Sequence, residues 1–471
     1  MAMYNQEQPP RRSLGTLLGW VGALILVIGA SLGGGFFLGR EYQRRNPDTV
    51  AVSSSLDSAN LAAGRPVGSA SQGDLDEQFK VFWEVWDLVG KEFYHTEPIN
   101  QQKMVYGAIR GMLQSLGDDF TGFQEPEAAE RSREDMQGAF EGIGAYVEFK
   151  DGQVLIVSPI EGSPAERAEL RPGDVILAVD GKLMTEVTDG LSRDEAIQAA
   201  VKLIRGTKGT KVVLSLLRPS SSEKFDKEII RDAIPLISVR SSMIGDVGYI
   251  QLSEFKANSQ DELDKAIAKL KPSNPKAIIF DLRNNPGGYV DTARNILGRF
   301  VEEGVTHLQE SSDGTQKEYT VLRDGNAEEL YDIPVLVLVN GGSASASEIV
   351  SGAFQDQGRA KLLGEKTFGK GSVQSLHKLS DNAEARITIA HWLTPKKRAI
   401  HKVGIEPDYV VPFSDDASQF PVECILNQRP AEGQTACGDS QLFWALKVLK
   451  GDGTPPPAPA TPVAPTPTPG K

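Results

Sequence analysis

Three serines alternate with alanines at Ser343, Ser345 and Ser347, a few positions after an unbroken aliphatic run over residues 335–339. A buried strand that turns into a helix across residues this small presents a side chain above the sheet and lets a substrate backbone approach. It also aims the first helical amides at negative charge developing on a carbonyl oxygen. A nucleophilic serine would sit in such a turn. The same residues satisfy a plainer requirement, because Ser345-Ala-Ser-Glu348 has the spacing of a capping box and a serine before a helix most often serves only as its cap. The turn also departs from the G-x-S-x-G elbow, since Ser343 and Ser347 stand at the two glycine positions around Ser345.

A serine hydroxyl needs a base near neutral pH. The five histidines, His95, His307, His377, His391 and His401, lie in no motif that connects them to the serine turn. A lysine can serve instead where burial disfavours its charged form and lowers its pKa. Lys370 is the candidate, held in Gly364-Glu-Lys-Thr-Phe-Gly-Lys-Gly371, where flanking glycines permit tight packing that a solvent-directed lysine would not need. The same stretch formally satisfies the phosphate-cradling G-x-x-x-x-G-K pattern. Yet Gly371 stands where Ser or Thr should hold magnesium, and residues 372–379 alternate like a strand rather than opening a helix. Ser221-Ser-Glu-Lys224 matches S-x-x-K but lies in a polar stretch that reads as a solvated hairpin loop.

These residues must be positioned by folded elements, and the pattern supplies them. Between residues 79 and 116, apolar residues including Phe82, Trp86, Tyr106 and Met112 recur at helical spacing, predicting a small unit of two helices with its aromatics packed in a core. Short strands are predicted over 145–149, 154–157, 175–179 and 212–217, with helices opening at Ser163 and at the Ser192 capping box. From about 234 to 412, buried strands (277–280, 335–339) alternate with helical stretches (291–300, 348–356), which argues an α/β sheet domain. Residues 14–39 carry no charge, long enough to span a bilayer, and the charged residues that follow favour an uncleaved anchor over a signal peptide. Residues 46–76 read as a flexible linker, and those past 453 as an extended Pro/Thr tail.

The chain of 471 residues corresponds to about three domains at about 150 residues each. Charged residues at 24% and hydrophobic ones at 40% exclude wholesale disorder and a polytopic membrane protein. A formal charge of −13 repels a phosphate backbone, so nucleic acid is excluded as a partner. Two cysteines, Cys424 and Cys437, can build neither a disulfide scaffold nor a four-thiolate zinc site; pairing of the two and free thiols are both open.

The segment Ser343-Ala-Ser-Ala-Ser-Glu348, with Gln355-Asp356 and Lys366-Thr-Phe-Gly-Lys-Gly-Ser-Val-Gln374, resembles the signature of the carboxyl-terminal processing (tail-specific) proteases. Asp281-Leu-Arg-Asn-Asn-Pro-Gly-Gly288, Gly404-Ile-Glu-Pro-Asp408 and residues 107–118 resemble that family's other landmarks, in the family's order. The resemblance runs from about residue 79 to about residue 412 and implies a multidomain α/β protein with a helical unit (77–136), a PDZ domain (137–222) and a protease core (223–420); composition alone adds the membrane anchor (1–45), the linker (46–76), the C-terminal segment (421–453) and the tail (454–471). It implies a serine endopeptidase with Ser345 as nucleophile, Lys370 as general base and Gln374 orienting the lysine. Oxyanion donors are implied at Ala346 and at Gly287 or Gly288. Gly142, Ile143, Gly144 and Ala145 fall on the PDZ carboxylate-binding loop, where successive amides hold a terminal carboxylate while the peptide adds a strand. Arg205, near that groove, is a candidate sensor of the carboxylate. The resemblance implies protein or peptide partners with unstructured C-terminal tails; the apolar run adds the membrane as a partner through an N-terminal helix and, with no later run of its length, export of the rest from the cytoplasm. This chemistry requires no metal or organic cofactor. The rival reading is a PDZ-bearing binding or chaperone-like protein without activity, against which the joint presence of Ser345, Lys370 and Gln374 counts.

Overall fold

The computed structural model describes residues 72–95, 97–323, 330–426 and 428–456. The apolar run 14–39, most of the linker and all but the first residues of the tail lie outside the described residues, and no described helix is long and apolar enough to cross a membrane.

The chain divides into two units, residues 1–99 and 100–471. In the first, helix α1 (Gln72–Glu92) carries Phe79, Trp83, Val85 and Leu88, each half exposed or more. The expected aromatic core does not form here: Phe82 and Trp86 are only half-buried, and the rings pack on one another along the helix, Phe82 lying 5.0 Å from Trp83 and 5.9 Å from Trp86. Helical spacing gathered the aromatics on the helix surface, but no described element of this unit buries them. The predicted pair of helices is also split, because the second, α2 (Gln101–Gln114), belongs to the other unit, where its Tyr106 and Leu113 are buried.

The second unit continues through β1 (Gly122–Gln124), α3 (Pro126–Gln137) and β2 (Ala139–Gly142). A smaller sheet module follows, built from β3 (Ala145–Lys150), β4 (Gln153–Pro159), β5 (Val175–Val179), β6 (Lys182–Leu183), helix α4 (Arg193–Ile204), β7 (Lys211–Arg218) and β8 (Glu223–Ile230). Its sheet order is β3-β4-β5-β7-β8, with β6 on β5, so β3 is an edge. Alternate residues Val154 and Ile156, and Val212, Leu214 and Leu216, point into one core, the period-2 burial of a sheet packed on one face. Both predicted helix caps form: the Ser163 hydroxyl accepts from Glu166 N–H at 3.2 Å, and Ser192 and Glu195 make the reciprocal capping box. Ser221 and Ser222 lie in the β7–β8 turn, as the hairpin reading expects. Strand β8 lies beyond residue 222, where the module was expected to end; its alternation was diluted by the charges of its solvent-facing side. The module leaves the chain through β9 (Asp232–Pro235), which pairs antiparallel with β2 to form a two-stranded neck.

The core follows: β10 (Val239–Ile244), β11 (Val247–Leu252), α5 (Ser259–Leu270), β12 (Ala277–Asp281), α6 (Val290–Leu297), β13 (Val305–Ser311), β14 (Gln316–Thr320), β15 (Val335–Val339), α7 (Ala346–Gln357), β16 (Lys361–Gly364), β17 (Ser372–Lys378), β18 (Glu384–Leu393), β19 (Tyr409–Val410), β20 (Pro421–Val422), β21 (Cys437–Gly438) and α8 (Ser440–Lys450). The main sheet has the order β10-β11-β12-β15-β16-β19, parallel throughout except for β10. Strand residues alternate between two apolar layers. Ile278, Phe280, Val335, Val337 and Val339 face α5, α6 and α7, while Ile279, Leu336 and Leu338 face Leu442 and Ala445 of α8. Covered on both faces, these strands read as continuous hydrophobic runs. Residues 421–453, expected as a separate segment, thus supply one layer of this domain, and Cys424 and Cys437 are joined by a disulfide just before α8. A second sheet, β1-β18-β13-β14 with β17 on β18, flanks the site and takes β1 from beyond the smaller module.

Candidate active site

Ligands of open parallel sheets bind outside the carboxyl ends of the strands. There the loops after β12 (residues 282–288) and β15 (residues 340–345) meet. Asn285, fully buried, joins them: its carbonyl accepts from Ala344 N–H (2.9 Å) and from the Ser347 hydroxyl (2.8 Å), and its side chain donates to Leu252 O (2.8 Å). The Ser343 hydroxyl donates to Leu282 O at 2.7 Å. The hydroxyls of Ser343 and Ser347 are therefore fixed structural groups, and both side chains are fully buried. Ser345 alone of the three is half-buried and open to the site.

Ser345 has φ 55° and ψ −115°, a left-handed conformation that costs a side-chain-bearing residue on the order of 1–3 kcal/mol and persists only where the surroundings enforce it. The enforcement comes from Glu348. Its fully buried carboxylate accepts from Ser345 N–H (2.8 Å) and Lys370 N–H (2.9 Å) on one oxygen, and from the Thr367 hydroxyl (2.6 Å) and Gly369 N–H (2.7 Å) on the other. Burial pushes this carboxyl above its usual range, with the four donors opposing that effect. Glu348, read from the sequence only as a cap partner, ties the serine turn to the lysine turn. The capping-box spacing was the visible signal, but not the second pair of donors.

Lys370 is half-buried. Burial, reinforced by the charge of Arg386, lowers its pKa below the ordinary lysine value, and its Nζ lies 5.3 Å from the centre of the Phe120 ring. The glycine-flanked turn packs as expected, since a Cβ on Gly371 would fall 2.5 Å from His401 N. Gly364 ends a strand and Ser372 begins another, so the phosphate-loop pattern opens no helix. Among the described residues no hydrogen bond joins the side chains of Ser345 and Lys370, and Gln374 does not reach the lysine: its Nε2 donates to the carbonyl of Phe120. Gln374 thereby holds the residue whose ring faces the amine. No histidine bonds Ser345 among the described residues. His307 is buried against Tyr319 with its pKa pushed down to about 4 by burial, and His391 stacks on His401 at 4.4 Å.

The glycine pair lies against the serine turn. A Cβ on Gly287 would be 2.7 Å from Ser345 Cβ and 3.0 Å from Ala346 N. Gly287 N–H already donates to Asn285 Oδ1 at 2.9 Å. The amides of Gly288 and Ala346 donate to nothing among the described residues.

In the smaller module, the carbonyls of Ile143 and Gly144 accept from Ala165 N–H (2.8 Å) and Ile160 N–H (2.9 Å), while the Ile143 and Gly144 amides have no partner among the described residues. A groove of about 430 Å³ extends from this loop between β3 and α4, lined by Ile143, Gly144, Ala145, Ile197, Val201 and Arg205. Gly142 ends β2 beside it. Arg205 reaches the groove from the end of α4, bonded to Glu134 of α3 at 2.7 Å and stacked 4.5 Å over Phe140.

Comparison with known proteins bears on both domains. The profile of peptidase family S41 matches residues 246–411, and that of the PDZ domain matches residues 155–218. The carboxy-terminal processing protease CtpA of Bacillus subtilis (strain 168) is 37% identical over 370 residues, covering 78% of this chain and 76% of the relative. This chain is a carboxy-terminal processing protease of family S41. The carboxyl-terminal-processing protease of Synechocystis sp. (strain ATCC 27184 / PCC 6803 / Kazusa) is 39% identical over 348 residues, covering 72% of this chain and 78% of that one. Among solved structures, a photosystem II D1 C-terminal processing protease is similar at 29% identity and a TM-score of 0.40, covering 70% of this chain and 86% of that one. The chain is thus a serine-type peptidase carrying a PDZ domain, as the sequence motifs implied.

Proposed function

We propose that this processing protease cuts unstructured C-terminal tails with Ser345 as nucleophile and Lys370 as general base. One observation carries the reading: Ser345 is held in a strained turn against two free amides, and the same buried carboxylate that holds it also holds a lysine whose charge is disfavoured. Neutral Lys370 takes the Ser345 proton as Oγ attacks the scissile carbonyl carbon. The oxyanion accepts from the amides of Ala346 and Gly288; Gly287, whose amide is engaged by Asn285, shapes the site instead. Collapse breaks the C–N bond while the Lys370 ammonium protonates the leaving amine, and water then hydrolyses the acyl-enzyme with the lysine again as base. Gln374 acts through Phe120, fixing the ring beside the amine.

The PDZ loop, from Gly142 to Ala145, receives the substrate's terminal carboxylate on its free amides while the tail pairs with edge strand β3. Arg205, now paired with Glu134, exchanges that partner for the incoming carboxylate. Residues 14–39 anchor the chain in the membrane with the protease outside the cytoplasm. The Cys424–Cys437 disulfide supports an oxidising compartment.

The test is digestion of an unfolded protein by the full chain beside Ser345→Ala and Lys370→Ala, with fragments read by mass spectrometry. Cleavage by the parent and none by either folded variant is expected. Activity retained by Lys370→Ala refutes the base assignment, and a parent inert even with tail peptides favours the binding-protein reading.

A further inference from the structure

The oxyanion segment is gripped from outside its own loop. Between β11 and α5, residues 254–258 bond in two directions. Toward the site, Phe255 N–H donates to Gly287 O at 2.7 Å and Phe255 O accepts from Tyr289 N–H at 2.8 Å, so the main chain on both sides of Gly288 is fixed. The contact leaves no slack: at φ 137°, a Cβ on Gly288 would lie 2.3 Å from Phe255 O. Away from the site, Ala257 N–H donates to Met136 O (2.9 Å) and Asn258 Nδ2 to Gly138 O (3.1 Å), both at the end of α3.

Lys256 closes this clasp. It is 7% exposed, its ammonium bonds Asp135 of α3 and lies 3.2 Å from Glu254, and its amide donates to the Ser259 hydroxyl at 2.8 Å. Burial pulls its pKa down, but Asp135 and Glu254 outweigh that effect and keep the ammonium charged. A buried cation is costly without its partners, so the Lys256 ammonium is held to Asp135 and Glu254, one residue from the Phe255 peptide. No step of the chemistry above uses Lys256.

We propose that Lys256 is a positioning residue for the oxyanion hole: anchored on Asp135, it holds the Phe255 peptide, which fixes the direction of the Gly288 amide. The proposal rests on the Ser345 reading, and predicts a selective effect. Misaiming one preorganised donor weakens binding of the tetrahedral state while leaving ground-state binding in place.

The test uses the full chain with Lys256→Met, Lys256→Arg and Asp135→Asn. Three quantities are compared: kcat and KM on an unfolded protein, affinity for a peptide aldehyde whose hemiacetal oxygen occupies the oxyanion position, and affinity for the same uncut protein in a Ser345→Ala background. Lys256→Met is expected to lower kcat about 10- to 100-fold and weaken the aldehyde by a similar factor, with KM and uncut-substrate affinity within about twofold. Lys256→Arg should recover most of the loss, and Asp135→Asn should lose about 3- to 10-fold in the same two readouts. A folded Lys256→Met that keeps kcat and aldehyde affinity overturns the proposal, as does equal loss of aldehyde and uncut-substrate binding, the mark of a merely structural lysine. If Lys256→Met fails to fold, an Asp135→Asn variant with unchanged kcat and aldehyde affinity overturns it alone. Failure of the Ser345 reading looks different, since Ser345→Ala would then still cut.

Discussion

Two turns of the molecule present main-chain amides with no partner among the described residues, and they are built differently. The PDZ loop offers the amides of Ile143 and Gly144, and its conformation rests on main-chain bonds from Ala165 and Ile160 together with a glycine at φ 75°. The serine turn offers Ala346 and Gly288, and is braced by buried side chains: Asn285, Ser343, Ser347 and Glu348 each bond backbone of another segment. Under the proposed function, the difference follows from the charge each would receive. A tail carboxylate arrives fully charged and brings its own strand, so the loop can adapt to it. An oxyanion exists only at the transition state, and donors that had to reorient then would give up most of their advantage.

Breaking the bracing should therefore cost turnover, and changing the loop should cost affinity. The largest effect is expected at Glu348→Gln. Whichever way the amide faces, its NH2 meets two donors, so kcat should fall about 100-fold or more while the affinity of the PDZ groove for a tail peptide stays unchanged. Equal loss of both would erase the contrast. Next is Gly144→Ala, where the new Cβ would lie 2.5 Å from Ser163 Cβ at a left-handed φ. Tail-peptide affinity, read by calorimetry, should drop about tenfold with kcat on short unfolded peptides unaltered.

A smaller effect sharpens the electrostatic side. Activity should rise with pH as Lys370 loses its proton, with a midpoint below the ordinary lysine value because burial and Arg386 both disfavour the cation. Removing that charge in Arg386→Met raises the Lys370 pKa, so the limb should move to higher pH and activity at neutral pH should fall a few-fold. The smallest is thermal: Ser345→Gly relieves the positive φ, and unfolding should show a gain of about 1 kcal/mol alongside complete loss of activity.

Much of this was legible in the sequence. The run over 335–339, the Ser192 capping box and the glycine-flanked lysine turn appear where local pattern placed them, because burial and capping act over a few residues. Ser345 and Lys370 were nameable from motif resemblance, but what distinguishes Ser345 from Ser343 and Ser347 is not local. It depends on which hydroxyls meet Leu282 O and Asn285 O, contributed by a loop about sixty residues earlier. For the same reason the engagement of the Gly287 amide by the Asn285 side chain was not visible in the sequence, and Glu348 looked like a cap alone. Strand β8 went unpredicted because its charged face hid its pairing with β7, and the aromatic face of α1 showed amphipathicity without showing what, if anything, covers it.

Whether a desolvated lysine activates Ser345 can be read from the rate at which a peptide fluorophosphonate labels Ser345 as a function of pH, in the parent and in Lys370→Ala. A sigmoid is expected in the parent, centred below the ordinary lysine range, and its disappearance with a large loss of rate in the variant. The same limb in both proteins, or one near neutrality that vanishes on replacing His401, would contradict it.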